Sequence, residues 1–194
     1  MKCVSTSIWD SMVTIIFESH GTTFDNEADL SSGIFDVELS PLGEKQAQEL
    51  GERHKGDNFD AIFCSDLQRS YKTAEIAFMG RSMAIIKDAR LRECDYGDWT
   101  RWPKVEVEAD KGNRISTPYP NGQSFEQTTA LIKSFLVDLL KNYNNKKVMI
   151  IGHRATQYGL ENLIKGVPLK QAVMAPRHWQ PGWAYSLDNN ILKS

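Results

Sequence analysis

Apolar residues gather in short, β-branched blocks that alternate with longer stretches of helical period. MVTIIFE (12–18), DAIFC (60–64), MAIIK (83–87) and KVMII (147–151) have the length and composition of buried strands, and WAYSL (183–187) reads as a late one. Between them, Ser40 offers an N-cap and Pro41 a first helical position, with Leu42, Ala47 and Leu50 on the inward face. Residues 66–78 predict a helix with Leu67, Ala74 and Ala77 inward. Ser124 caps a long amphipathic helix to about Asn142, with Phe125, Leu131, Phe135, Leu139 and Leu140 on or near one face. A further helix is expected from about Ala155 to Lys165. Residues 19–39 read as a polar loop, 141–147 as a solvated loop, and 93–123 as an irregular stretch rich in Trp, Pro, Gly and charge.

Strands alternating with helices predict an α/β fold, a three-layer α/β/α sandwich around a mainly parallel sheet. Residues 1–11 precede the first strand and are expected to be a poorly ordered N-terminal extension. Residues 12–194 are expected to form one domain, with about 94–123 as a lid or crossover insertion.

Composition narrows the functions open to such a domain. The chain has 194 residues, 41% hydrophobic and 25% charged, which suits a single globular domain with a sizeable core. A net charge of -2 provides no broad basic face for nucleic acid, so any phosphate site must rest on a few local cations and backbone donors. Cys3, Cys64 and Cys94 are odd in number and far apart, which argues against a disulfide framework or a metal site and for a reducing, cytoplasmic compartment. No apolar run approaches the roughly 20 residues of a membrane span, and the first residues lack a continuous apolar stretch.

The chemistry collects at strand ends. IIFESHGTT delivers His20 and VMIIGHRAT delivers His153, and ligands of open α/β sheets bind beyond the carboxyl ends of the strands. CSDLQRS places Arg69 near a helix start, where free N–H groups already favour anions and a guanidinium adds a bidentate grip. Glu93, in LRECDYGDW beside Tyr96 and Trp99, has the setting of a carboxyl whose pKa is raised for proton donation. Taken singly, each admits a structural role: a loop or capping histidine, a surface arginine, a glutamate paired with Arg90 or Arg92. Trp99 and Trp102 read equally as the wall of an apolar pocket or as anchors of the insertion, and HWQPGW (178–183) as aromatic packing at a turn.

In order and spacing, SHGTTFDN (19–26), LSPLG (39–43), SDLQRSYKTAE (65–75), LRECDYGDW (91–99), NGQSF (121–125) and IIGHRAT (150–156) resemble the histidine phosphatase superfamily, the phosphoglycerate mutase-like proteins. The resemblance runs from about Val13 to Leu187 and implies the phosphoglycerate mutase-like sandwich. It implies that His20 accepts the phosphoryl group. Arg69 and His153 would hold the phosphate oxygens, and Glu93 would donate a proton to the leaving group and then activate water. Ser19, Gly21, Thr23 and Asn26 would sit at the phosphate, with Ser32, Gly33 and Tyr96 on the substrate side. No metal or organic cofactor is implied.

Three positions depart from the family pattern. Ser19 stands where the family has the arginine of Arg-His-Gly, Thr22 where it has a glutamate, and Gln123 where its Gly-Glu-Ser block has a glutamate. Losing the arginine removes on the order of 2–4 kcal/mol of transition-state binding. Arg154 stands where the family carries a small residue; it either turns into the pocket and replaces that cation, or points outward or caps a helix. The expected function is a phosphomonoester hydrolase working through a phosphohistidine on a small phosphorylated metabolite. The segment between Glu93 and Gly122 is short and its cations (Arg101, Lys104, Lys111, Arg114) are scattered, which favours a phosphatase over a mutase. The alternatives are a catalytically impaired member that binds a phosphorylated ligand or partner, and a phosphoglycerate mutase. Neither nucleic acid nor membrane is expected as a partner, and a homodimer stays open.

Overall fold

The computed structural model describes residues 12–176 and 180–192, so the expected N-terminal extension and His178 lie outside the described residues. In chain order the elements are β1 (Met12–Ser19), α1 (Phe24–Glu27), β2 (Leu30–Ser31), α2 (Pro41–Arg53), β3 (Ala61–Cys64), α3 (Gln68–Ala77) and β4 (Ile85–Lys87). There follow β5 (Trp102–Pro103), α4 (Lys104–Asp110), α5 (Phe125–Asn142), β6 (Lys147–Gly152), α6 (Arg154–Leu163), α7 (Leu169–Met174) and β7 (Trp183–Asp188).

The central sheet has the order β4-β3-β6-β1-β7. β4, β3, β6 and β1 pair in parallel, and β7 closes the edge antiparallel to β1. The period-2 pattern of β1 explains its two faces. Val13, Ile15 and Phe17 point into a core shared with Ile132, Phe135, Leu136, Leu139 and Leu140 of α5. On the opposite face, Leu50 of α2 and Ala74 and Ala77 of α3 pack on Ile62, Cys64, Met149 and Ile151. β3 and most of β6 are buried on both faces, which is why their sequences are continuous apolar runs.

The expected helices form with the expected caps. The Ser40 side chain accepts from the Gly43 N–H, and Ser124 and Gln127 make a reciprocal capping box at the start of α5. Three readings need correction. Leu42 of α2 and Leu131 of α5 are exposed and do not face the core, which Ala47 and Leu50, and Phe135, Leu139 and Leu140, reach instead. The polar loop 19–39 contains α1 and β2, and the irregular 93–123 stretch contains β5 and the seven-residue α4. β2 and β5 pair antiparallel, Leu30 with Pro103 and Ser31 with Trp102, so the two stretches form one small unit above the strand ends. Cys64 and Cys94 are buried free thiols, and burial pushes both pKa values up to about 12, so neither is poised as a thiolate. No helix among the described residues is long and apolar enough to cross a membrane.

Candidate active site

Sheet register brings the two strand-end histidines together. Ser19 of β1 pairs with Gly152 of β6, so the next residues, His20 and His153, emerge side by side. The His20 N–H donates to Gly152 O at 3.1 Å, and the two imidazole centroids lie 5.0 Å apart. His20 Nδ1 is 2.7 Å from Gly21 O. A carbonyl only accepts, so Nδ1 carries a proton, and in the neutral ring the lone pair is on Nε2. The loop holding this ring is tied down on both sides. The Gly21 N–H donates to Thr73 Oγ1 of α3 at 3.0 Å. Gly43, at the N-terminus of α2, lets the loop lie against the helix; a Cβ there would sit 1.9 Å from Thr22 O.

His153 is 1% exposed. Its Nε2 meets Ser65 Oγ at 2.6 Å, while Nδ1 is buried and has no hydrogen-bond partner among the described residues. Burial, then the Arg69 guanidinium and His20, hold its pKa well below the ordinary imidazole value, so the ring is neutral. An uncompensated buried polar nitrogen costs stability, and this one lies in a ring that faces a second imidazole.

Arg69, the second residue of α3, is 2% exposed. Its guanidinium donates to Gly33 O at 2.6 Å and Phe35 O at 2.8 Å. It therefore anchors the 30–35 stretch as well as placing charge by His153. Glu93 lies across the N-terminus of α6. Its Oε1 accepts from the Cys94 N–H at 2.8 Å and the Ala155 N–H at 3.2 Å, and Oε2 from the Arg154 N–H at 3.1 Å. Those donors and Arg69 favour the carboxylate, but burial outweighs them and raises the pKa above the usual carboxyl value.

These four side chains open onto a cavity of about 790 Å³, also lined by Ser19, Gly21, Asn26, Ser32, Gly33, Tyr96 and Arg154. The proposed phosphate role of Thr23 does not fit. Thr23 is fully buried, lies away from the cavity wall, and caps α1 by accepting from the Asn26 N–H, so it positions Asn26. Gly33 has φ +54, and its missing side chain leaves room for the Tyr96 ring, 3.1 Å from where a Cβ would be. Arg154 lines the cavity, but its guanidinium rests on its own helix, 3.3 Å from Gln157 Oε1 and 5.0 Å from the Tyr158 ring centroid. Trp99 and Trp102 stack on each other at 4.6 Å and are not part of the wall, which supports their reading as anchors.

Sequence reasoning did not place Gln46 and Arg53 of α2, nor Lys104, Glu108 and Lys111, on the cavity wall. Their spacing was the available signal: 104, 108 and 111 share one face of the turn through α4, and 46 and 53 one face of α2. The segment's cations are largely neutralised. Arg101 meets Asp25, Lys111 meets Glu108 and Arg114 meets Asp110; Lys104 has no carboxylate partner among the described residues. No three His, Cys, Asp or Glu side chains among the described residues converge as a metal site.

Known proteins resemble this chain in sequence and in fold. The family model described as histidine phosphatase superfamily (branch 1) matches residues 15–177. Uncharacterized phosphatase PhoE of Bacillus subtilis is 33% identical over 155 residues, covering 80% of this chain and 79% of its own. Phosphoserine phosphatase 1 of Hydrogenobacter thermophilus is 26% identical over 186 residues, covering 92% of this chain and 83% of its own. The structure of Bacillus stearothermophilus YhfR superposes with a TM-score of 0.77 at 25% identity, covering 87% of this chain and 88% of that one.

Proposed function

Since this chain belongs to the histidine phosphatase superfamily, we propose that it hydrolyses a small phosphomonoester through a phosphohistidine on His20. The observation that carries this reading is the 2.7 Å contact between His20 Nδ1 and Gly21 O. Nδ1 is committed to Gly21 O, so the neutral ring offers its lone pair from Nε2, and the ring lines a cavity shared with Arg69, Glu93 and His153. In the first step Nε2 attacks phosphorus and the ester P–O bond breaks. Glu93, whose pKa burial raises, gives a proton in its acid form to the departing alkoxide. In the second step the Glu93 carboxylate takes a proton from water as it attacks the phosphohistidine. The products are an alcohol and inorganic phosphate, and both groups return to their starting states.

His153 supplies its orphaned Nδ1 to a phosphate oxygen. Phosphate oxygens only accept, so a ligand selects the Nδ1–H tautomer, with the Ser65 hydroxyl donating to Nε2. Arg69 contributes a buried positive charge. Ser19 leaves one cation fewer at this end. Arg154 fills the deficit when phosphate binds, since it already lines the cavity and its guanidinium is held by neutral partners, Gln157 and Tyr158, with no carboxylate in ion-pair range among the described residues. Hydrolysis is favoured over transfer between two positions of a phosphoglycerate, because carboxylates take three of the segment's four cations.

The test is turnover of p-nitrophenyl phosphate by the intact chain and by His20→Ala, with trapping of label from ³²P-phosphate ester on the denatured protein. Turnover and trapped label that both vanish in His20→Ala support the mechanism. Turnover that survives the substitution refutes it. Ligand-induced thermal stabilisation without any turnover points to a binding role.

A further inference from the structure

Ser32 lines the cavity, but its hydroxyl hydrogen is already committed. Ser32 Oγ lies 3.1 Å from Asp25 Oδ2. A carboxylate only accepts, so the hydrogen points at Asp25, and Ser32 offers a ligand its oxygen lone pairs. This polarity is enforced from behind. Asp25, in α1, is 2% exposed, and its other oxygen accepts from Arg101 Nη2 at 3.1 Å. Arg101 is itself fixed. Its backbone N–H donates to Ser31 O at 2.7 Å, and its guanidinium lies 4.7 Å from the Phe35 ring centroid. Its φ of +63 is a left-handed conformation that a non-glycine residue keeps only when its surroundings hold it there. On the other side, Arg69 grips Gly33 O and Phe35 O of the same stretch. Asp25 cannot turn away without breaking the contact between the 94–123 segment and the loop that carries Ser32.

We propose that Ser32 is an acceptor subsite, which selects phosphomonoesters whose alcohol half carries a hydroxyl or ammonium hydrogen, and that Asp25 and Arg101 are positioning residues that set its polarity. The proposal deepens the phosphatase reading and rests on it for the placement of the ester in the cavity. A substrate hydroxyl or ammonium at this point donates to Ser32 Oγ. An alkyl group there leaves the oxygen unpaired on binding. A substrate carboxylate meets lone pairs, with the Asp25 charge directly behind them.

Three esters built on one carbon frame test this. Glycerol 2-phosphate carries hydroxyls, isopropyl phosphate carries none, and 2-phospholactate carries a carboxylate. The intact protein is expected to favour glycerol 2-phosphate by about ten-fold or more in kcat/KM over each of the others, as sites built to bond a hydroxyl reject analogues lacking it. Ser32→Ala should bring glycerol 2-phosphate and isopropyl phosphate close to parity. Asp25→Asn should reverse the polarity. Arg101 holds the amide oxygen, the amide N–H then donates to Ser32 Oγ, and the hydroxyl hydrogen turns into the cavity. The ratio of 2-phospholactate to glycerol 2-phosphate should rise by about ten-fold, chiefly through KM. A purely structural role for Asp25 would lower all three esters together and leave the ratios unchanged. Equal use of glycerol 2-phosphate and isopropyl phosphate by the intact protein, or ratios unmoved in Asp25→Asn, overturns the proposal. If neither these esters nor p-nitrophenyl phosphate is turned over, the phosphatase reading fails by itself. The dissociation constants of the same three esters, measured by calorimetry on the intact protein and Asp25→Asn, then give the ranking by which this proposal stands or falls.

Discussion

Replacing Glu93 by glutamine separates proton donation from everything else this side chain does. The carboxylate accepts two N–H bonds at Oε1, from Cys94 and Ala155, and one at Oε2, from Arg154. In Glu93→Gln the amide oxygen can keep the first two. The amide nitrogen then faces the Arg154 N–H donor to donor, which costs about 1–3 kcal/mol. Against this, the substitution removes a buried ionisable group whose pKa burial has raised. The two effects oppose each other, so Tm should move by only a few degrees at about 2–4 °C per kcal/mol for a chain of this size. Chemistry should suffer far more, and selectively. With an alkyl phosphate, whose alkoxide cannot leave unprotonated, kcat/KM should fall by about 10²–10⁴. With p-nitrophenyl phosphate, whose phenolate leaves unaided, kcat/KM should fall by less than about ten-fold. Its kcat should still drop, because water attack on the phosphohistidine has lost its base, and rapid mixing should then show a burst of nitrophenol. The pH profile gives an independent check. The protonated acid is needed, so kcat/KM for the alkyl ester declines as pH rises through the raised Glu93 pKa, and Glu93→Gln should lack that limb. Equal losses on the two esters, or an alkaline limb that persists in Glu93→Gln, would refute the assignment of Glu93 as proton donor.

Ser65→Ala leaves a second His153 nitrogen unpaired in the interior, so denaturant unfolding should show a loss of about 1–3 kcal/mol and kcat/KM should fall with it. Gly43→Ala drives a Cβ to 1.9 Å from Thr22 O; the His20 loop must shift, and both thermal unfolding and p-nitrophenyl phosphate turnover should show a loss of at least about 1–3 kcal/mol in stability and most of the activity. Arg154→Ala should lower kcat/KM by about ten- to a hundred-fold and Ser19→Arg in that background should recover part of it; unchanged kinetics in Arg154→Ala would show that the guanidinium stays on Gln157. His153 has a folded pKa below its unfolded value, so the unfolded chain binds the extra proton and stability falls as pH drops below about 6.5, by at most about 1.4 kcal/mol per pH unit. Glu93 has the opposite sign, contributing stability that is full below about 4.5 and lost as pH rises through its raised pKa. A His153→Gln variant should therefore lose less Tm than the intact protein between pH 6.5 and pH 5.

The parts of this fold that the sequence announces are those stabilised by their own pattern. β1, β3 and β6 are apolar blocks, and α5 carries both its cap and its stripe, so each is visible without its neighbours. α1 and β2 are not. Four residues and two residues are too short to be stable alone, and they persist because Thr23 and Asn26 cap each other and β5 pairs with β2. The histidines and Arg69 stand at or next to strand and helix ends, where chain order carries spatial order, and with Glu93 from the connection after β4 they line one cavity. Thr23 failed for the opposite reason. A threonine two residues after a glycine loop reads as a ligand group until the N–H it caps is known.

Asp25 illustrates what motif spacing leaves out. Nothing in FDNE distinguishes its second residue from a solvated acid, and its partners Ser32 and Arg101 come from different stretches. Yet the buried charge cannot be incidental. A carboxylate that is 3% exposed in its side chain costs several kcal/mol to desolvate, and only the Arg101 guanidinium among the described residues lies within ion-pair range to offset it. If the bond to Ser32 served packing alone, an apolar pair of similar volume would hold the loop at least as well. What an apolar pair could not do is direct a hydroxyl hydrogen away from the cavity. The direction of that hydrogen, more than the position of Ser32, is what a ligand meets. Asp25→Asn therefore carries more information than deletion of either side chain, because it keeps the shape and reverses the donor.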